Sequence, residues 1–157
     1  MIHQARKNIF IINLLNRLNN LGNGSNIVRY VTFKARESNG YFGKYEANGF
    51  TQKLEGKIIV KAWKEIPAKF PKCILGEYVI KPNVFNGIIT LDKSLTKEKQ
   101  NKQYLTILTY FKNRSTELIN KLHGTHGKLL WENNYDEITI SDIDNLKEVI
   151  TFLKKSA

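Results

Sequence analysis

The chain has 157 residues, 41% hydrophobic and 25% charged, with eight Phe, seven Tyr and two Trp; this suits one domain with one packed core and excludes a disordered polar chain. Twenty-five Lys and Arg against 14 Asp and Glu give a net charge of +11, which makes polyanions the natural partners because phosphate contacts release counterions. The single cysteine, Cys73, lies in the apolar run Cys73-Ile74-Leu75 and excludes a disulfide framework or a cysteine zinc site within one chain.

Residues 1–26 read as an N-terminal amphipathic arm and residues 27–157 as the folded domain. In the arm, Ile11, Ile12, Leu14, Leu15, Leu18 and Leu21 recur at helical spacing before Gly22-Asn23-Gly24-Ser25, as a packing or homodimer contact would require. The arm has no small-residue cleavage site and is too short for a membrane span, so a cytoplasmic protein without membrane contact is expected.

Ile27 to Ala35 is rich in β-branched and aromatic residues and reads as a strand. After the turn-forming Ser38-Asn39-Gly40, a short strand is expected over Tyr41 to Tyr45. A helix follows, with Leu54, Ile58, Ala62 and Ile66 on one stripe, Thr51 as its N-cap and Pro67 as its stop. Cys73 to Ile80 and Val84 to Leu91, separated by Lys81-Pro82-Asn83, read as neighbouring strands. Residues 98–122 form the longest periodic segment, with Leu105, Leu108, Phe111, Ser115, Leu118, Ile119 and Leu122 as its stripe and Gly124 as its close. Lys128 to Trp131 is expected as a fourth strand. Ser141-Asp142-Ile143-Asp144 is expected to cap a last helix with the stripe Ile143, Leu146, Ile150 and Leu153. This order predicts an α+β sandwich with helices on one face of a mainly antiparallel sheet.

Four stretches carry something more specific: Val31-Thr32-Phe33; Gly56 to Pro71; Tyr78 to Ile89; and Phe111-Lys112-Asn113-Arg114 with Ile119 to Trp131. From about Arg29 onward the chain resembles the bacterial REP-associated tyrosine transposases, of the HUH single-tyrosine, transposase 17 type. The resemblance implies a ferredoxin-like sandwich with a four- to five-stranded sheet.

In that family the third stretch is similar to a Met-Pro-Asn-His-hydrophobic-His-Gly signature, whose two histidines hold a divalent metal such as Mg or Mn. Residues two apart on a strand face the same way, so two imidazoles can converge on one ion. Here those positions are Val84 and Asn86, so the family's metal site and its cofactor are not expected. The family's nucleophile, a tyrosine of the final helix, aligns with Phe152, which has no hydroxyl to attack phosphorus. The resemblance therefore implies a transposase relative that does not cleave DNA, and one without the family's C-terminal DNA-contacting tail.

The expected residual activity is binding of single-stranded or hairpin DNA. Its candidate contacts are Arg29, Lys34 and Arg36 on the first strand, Lys81 and Asn83 at the turn, and Lys112 and Arg114 on the long helix. Tyr30, Phe33 and Phe85 are weighed for base stacking against a place in the core. Two rival readings remain open: a protein-interaction or dimerisation module built on the N-terminal arm, and a nuclease whose site is rebuilt from His123, His126 or Tyr135. Asp142, Asp144 and Glu148 suit the positive end of the last helix better than a carboxylate metal site.

Overall fold

The computed structural model describes residues 27–92 and 94–140, together with Glu148 and Thr151, both helical. Its elements run β1 (Ile27–Lys34), β2 (Gly43–Glu46), β3 (Gly49–Gln52), α1 (Leu54–Lys64), the short turn α2 (Ile66–Lys69), β4 (Cys73–Ile80), β5 (Val84–Leu91), α3 (Lys97–His123) and β6 (Asp136–Ile140). Four strands form one sheet in the order β4-β5-β1-β6, with every neighbouring pair antiparallel. With helices crossing from β1 to β4 and from β5 to β6, this is the ferredoxin-like arrangement, into which β2 and β3 are inserted as a separate hairpin.

The two parities of β1 have different company. Val31 and Phe33 face the helices and pair across to Gly87 and Phe85 of β5. Against them pack Ile59, Ala62 and Trp63 of α1, Ile66 of α2, and Tyr104, Ile107, Leu108, Phe111 and Ile119 of α3, all buried. The helical stripes are thus rotated slightly from those expected, since Leu54 and Leu105 are more than half exposed. Large aromatic rings that mesh at 5 to 6 Å decide the buried arc: Phe111 meets Phe33 at 5.3 Å and Phe85 at 5.3 Å, and Trp63 meets Phe85 at 5.1 Å. Gly87 is required by this packing, because a Cβ there would lie 2.4 Å from the Trp63 ring.

Two polar side chains beneath α3 are satisfied in series. The Trp131 indole donates to Ser115 Oγ at 2.8 Å, and that hydroxyl donates to the Phe111 carbonyl at 2.6 Å. The helix is capped at Thr96, whose side chain accepts from the Lys99 amide, and closed by Gly124 at φ 64°.

Three local expectations are corrected. Lys128 to Trp131 is not a strand; Trp131 makes a single bridge to Ala35, and the fourth strand is β6. Leu130 and Trp131 are apolar because they anchor a connection into the core while Leu129 stays exposed. Thr51 is not a helix cap but a residue of β3 that donates to Glu46, and α1 starts after Lys53 without a side-chain cap. The strand expected over Tyr41 to Tyr45 is displaced to Gly43–Glu46. The N-terminal arm and the stripe of the last helix lie outside the described residues, as does Phe152.

Candidate nucleic-acid interface

On the sheet face away from the packed helices, Tyr30, Thr32 and Lys34 of β1 alternate with the core residues and pair with Ile88, Asn86 and Val84 of β5. On the other side of β1, Asp136 pairs with Thr32 and Ile138 with Tyr30. All of these except Ile88, together with Lys81 and Glu137, line a cleft of about 330 Å³. Lys81 and Lys34 flank Val84: the Lys81 amide donates to the Val84 carbonyl at 2.8 Å, and Lys34 is its cross-strand partner.

Asn86 is the polar centre of this cleft and is 4% exposed. The Thr32 hydroxyl donates to Asn86 Oδ1 at 2.7 Å, whereas Asn86 Nδ2 has no hydrogen-bond partner. A buried donor left unmet costs about 1–3 kcal/mol, so the cleft carries an unused donor at its base. Burial pushes the Tyr30 phenol well above its ordinary range, partly offset by a hydrogen bond with Thr32. Desolvation likewise holds the Lys81 ammonium below the usual lysine value. Among the described residues, neither Lys34, Lys81 nor Asp136 has an ion-pair partner.

The remaining basic candidates are not gathered here. Arg36 donates to the Trp131 carbonyl at 2.8 Å and to Asn133 Oδ1 at 2.7 Å, and Lys112 reaches the Glu132 carbonyl at 3.3 Å from the other side of the same loop. Burial, and then the neighbouring Arg36 charge, lower the Lys112 pKa. Arg29 turns to the helix side, where it meets Glu137 at 3.4 Å and lies over the Tyr104 ring at 5.2 Å. Arg114 is paired with Glu65 at 3.1 Å and Glu117 at 3.5 Å. Asn83 works on the backbone: its Oδ1 accepts from the Gly40 and Tyr41 amides at 3.0 and 2.9 Å, pinning the loop after β1.

Phe33 and Phe85 are core residues at 1% and 0% exposure, and Tyr30 is nearly as buried, so none offers a face for stacking. His123 bonds Glu55 at 2.9 Å at the end of α3, His126 is exposed beyond it, and Tyr135 packs on Phe33 at 5.8 Å. Cys73 is buried, with its thiol pushed up to about 12 by desolvation. Glu148 is exposed, and Asp142 and Asp144 lie outside the described residues.

Two residues of the cleft, Thr32 and Asp136, escape sequence reasoning. Their only signal is cross-strand register with Asn86 and with each other, and pairing across three strands cannot be read from spacing along one.

A divalent metal finds a poor donor set here. Val84 offers no donor atom, Asn86 Oδ1 is engaged by Thr32, and the Glu137 carboxylate is bound by the Tyr104 hydroxyl at 2.6 Å and by Arg29. Among the described residues no group of three His, Cys, Asp or Glu is placed to hold a metal ion.

The fold is a ferredoxin-like sandwich that solved transposase structures share. A REP-associated tyrosine transposase bound to a REP hairpin superimposes with a TM-score of 0.57 at 12% identity, over 81% of this chain and 63% of that one. The crystal structure of a protein described as a transposase of Deinococcus radiodurans R1 superimposes with a TM-score of 0.51 at 10% identity, over 83% of this chain and 90% of that one. The chain thus spans less than two thirds of the hairpin-bound transposase. No family model and no curated protein matches the sequence. Among the described residues no helix is long and apolar enough to cross a membrane.

Proposed function

We propose that the chain is a transposase-like nucleic-acid-binding protein that engages single-stranded or hairpin DNA and does not cleave it. The observation that carries this reading is the cleft on the far face of the sheet, which Lys34 and Lys81, without ion-pair partners among the described residues, line together with Asn86 and its unmet amide. The net charge of +11 supports a polyanionic partner, and a fold neighbour is bound to a REP hairpin. Val84 and Asn86 occupy the positions where the resemblance places two metal-binding histidines, and Phe152 the position of the nucleophile. A phenyl ring cannot form a phosphotyrosine, and valine cannot ligate a metal.

The test is a fluorescence-anisotropy titration of a labelled DNA hairpin at two salt concentrations, with and without Mg²⁺ or Mn²⁺, followed by a denaturing gel of the recovered strand. Binding that weakens with salt, needs no metal and leaves the strand intact is expected. Metal-dependent cleavage or a covalent adduct overturns the inactive reading, and absence of binding overturns the DNA-binding one.

A further inference from the structure

We infer that the cleft on the far face of the sheet is a metal-independent phosphate site, in which Lys34, Lys81 and the Asn86 amide hold the anion and Asp136 sets the charge it accepts. The inference rests on the DNA-binding reading and names the group that this surface grips.

Three observations carry it. The first is the orphan amide: Asn86, a residue of the cleft lining, is 4% exposed, its oxygen is taken by Thr32, and its buried Nδ2 has hydrogens to donate and no partner among the described residues. Other buried polar atoms also lack partners, among them Trp63 Nε1 and Gln100 Oε1, but those residues do not line this cleft, whereas Asn86 does. The second is the pair of lysines whose backbones flank Val84 and which both line the cleft, each ammonium having three donors and no counter-ion among the described residues. Donors outnumber free acceptors at this place, which suits an oxyanion and opposes a cation.

The third is the charge balance. Two lysines and Asp136 sum to one net positive charge, since the Glu137 carboxylate is already held by Arg29 and Tyr104. One positive charge matches a phosphodiester, which carries one negative charge, better than a terminal monoester, which carries nearly two. Asp136 then acts as a brake on anion affinity, and removing its charge should tighten binding. That sign separates the inference from a rebuilt cation site, where the same change would weaken binding.

The experiment uses the full chain and four forms of it: wild type, Lys34→Gln/Lys81→Gln, Asp136→Asn, and Lys57→Gln/Lys61→Gln as a control of equal charge on the exposed face of α1. Hairpin affinity is measured with EDTA present, and the Asn86 side-chain amide is followed by NMR during titration with inorganic phosphate and with the hairpin. Expected are a loss of more than about tenfold for the cleft double variant, a salt slope flatter by about two, a much smaller loss for the control, and a gain for Asp136→Asn. The Asn86 amide resonances should move with both ligands. Equal losses in the cleft and control variants, with a still Asn86 amide, overturn the site while leaving DNA binding in place. Binding that needs Mg²⁺ and is lost in Asp136→Asn overturns it in favour of a cation site. If the hairpin does not bind, the DNA reading falls, and inorganic phosphate decides the cleft alone: a moving Asn86 amide supports the site, and a still one overturns it.

Discussion

The two faces of the sheet are built to opposite rules. On the helix side, aromatic rings interlock and charges are paired: Arg29 with Glu137 and the Tyr104 ring, Arg114 with Glu65. On the far side, at the end of β1 and the start of β5, two lysines and an aspartate without ion-pair partners among the described residues line a cleft with the Asn86 amide, likewise unpartnered among them. A fold that satisfies Trp131 through Ser115 and the Phe111 carbonyl has the means to satisfy Asn86 and does not. An unmet donor costs stability; the Trp63 indole carries that cost inside the core, whereas the Asn86 amide carries it beside a cleft lined by lysines, and this placement separates the surface that holds the protein together from the one proposed to meet a ligand.

The contrast predicts that damage to the helix side destroys the fold while damage to the cleft leaves it intact. The largest effect should come from Phe111→Ala, which empties the centre of the aromatic cluster. A loss of about 3–5 kcal/mol in denaturant unfolding is expected, and a loss under about 1 kcal/mol would mean that the cluster is not the core. Next is Gly87→Ala, whose added methyl meets the Trp63 ring at 2.4 Å; overpacking should cost about 1–3 kcal/mol. Thermal or urea unfolding of the pair Gly87→Ala and Trp63→Phe checks the cause, since the smaller ring should recover part of the loss.

How far the sequence discloses each face follows from the kind of signal each emits. The strands Cys73–Ile80 and Val84–Leu91 and the long helix are legible, the strands to the residue and the helix to within one at each end, because continuous apolar runs and helical stripes are local patterns. The fourth strand is not, because Leu130 and Trp131 are as apolar as a strand while β6, Asp-Glu-Ile-Thr-Ile, opens on two charged residues and lies at the sheet edge. Lys34 is legible as a basic residue of the first strand, Lys81 as one of the turn, and Asn86 as the residue at a position where the resemblance expects a histidine. Their meeting with Thr32 and Asp136 is not, since it depends on register across β5, β1 and β6. Arg29 and Arg114 read as equally available cations in the sequence, and only the folded chain supplies Glu137 and Glu65 to neutralise them.

A double-mutant cycle on Thr32 and Asn86 sharpens the contrast at the cleft. Thr32→Val leaves Asn86 with neither amide atom paired and should cost about 1–3 kcal/mol. Thr32→Val/Asn86→Leu removes both polar partners from the buried site and should unfold near the wild-type denaturant midpoint, because replacing both sides of a buried hydrogen bond by apolar groups is close to neutral. The same double variant should bind the hairpin more weakly. A double variant as unstable as the single one would show that Asn86 is a structural residue, and the cleft would lose its distinction from the core.

The smallest effect lies where the helix side reaches the surface. Burial raises the Glu55 carboxyl, but hydrogen bonds from His123 and from its own backbone amide, with the nearby charges of His123 and Lys53, outweigh it and hold the group below the ordinary carboxylate value. A carboxyl whose folded pKa is depressed contributes stability that is present above its unfolded pKa and is lost as pH falls through the folded one. Stability should therefore decline on the acid side of about pH 4.5, and Glu55→Gln should lose that part of the decline. The pair ties the start of α1 to the end of α3 at a partly exposed site, so the difference should not exceed about 1 kcal/mol in urea midpoints at neutral pH. Because Glu55 does not line the cleft, hairpin affinity measured at neutral pH should be the same in Glu55→Gln as in wild type. A shift in affinity there would mean that the two faces are coupled rather than separate.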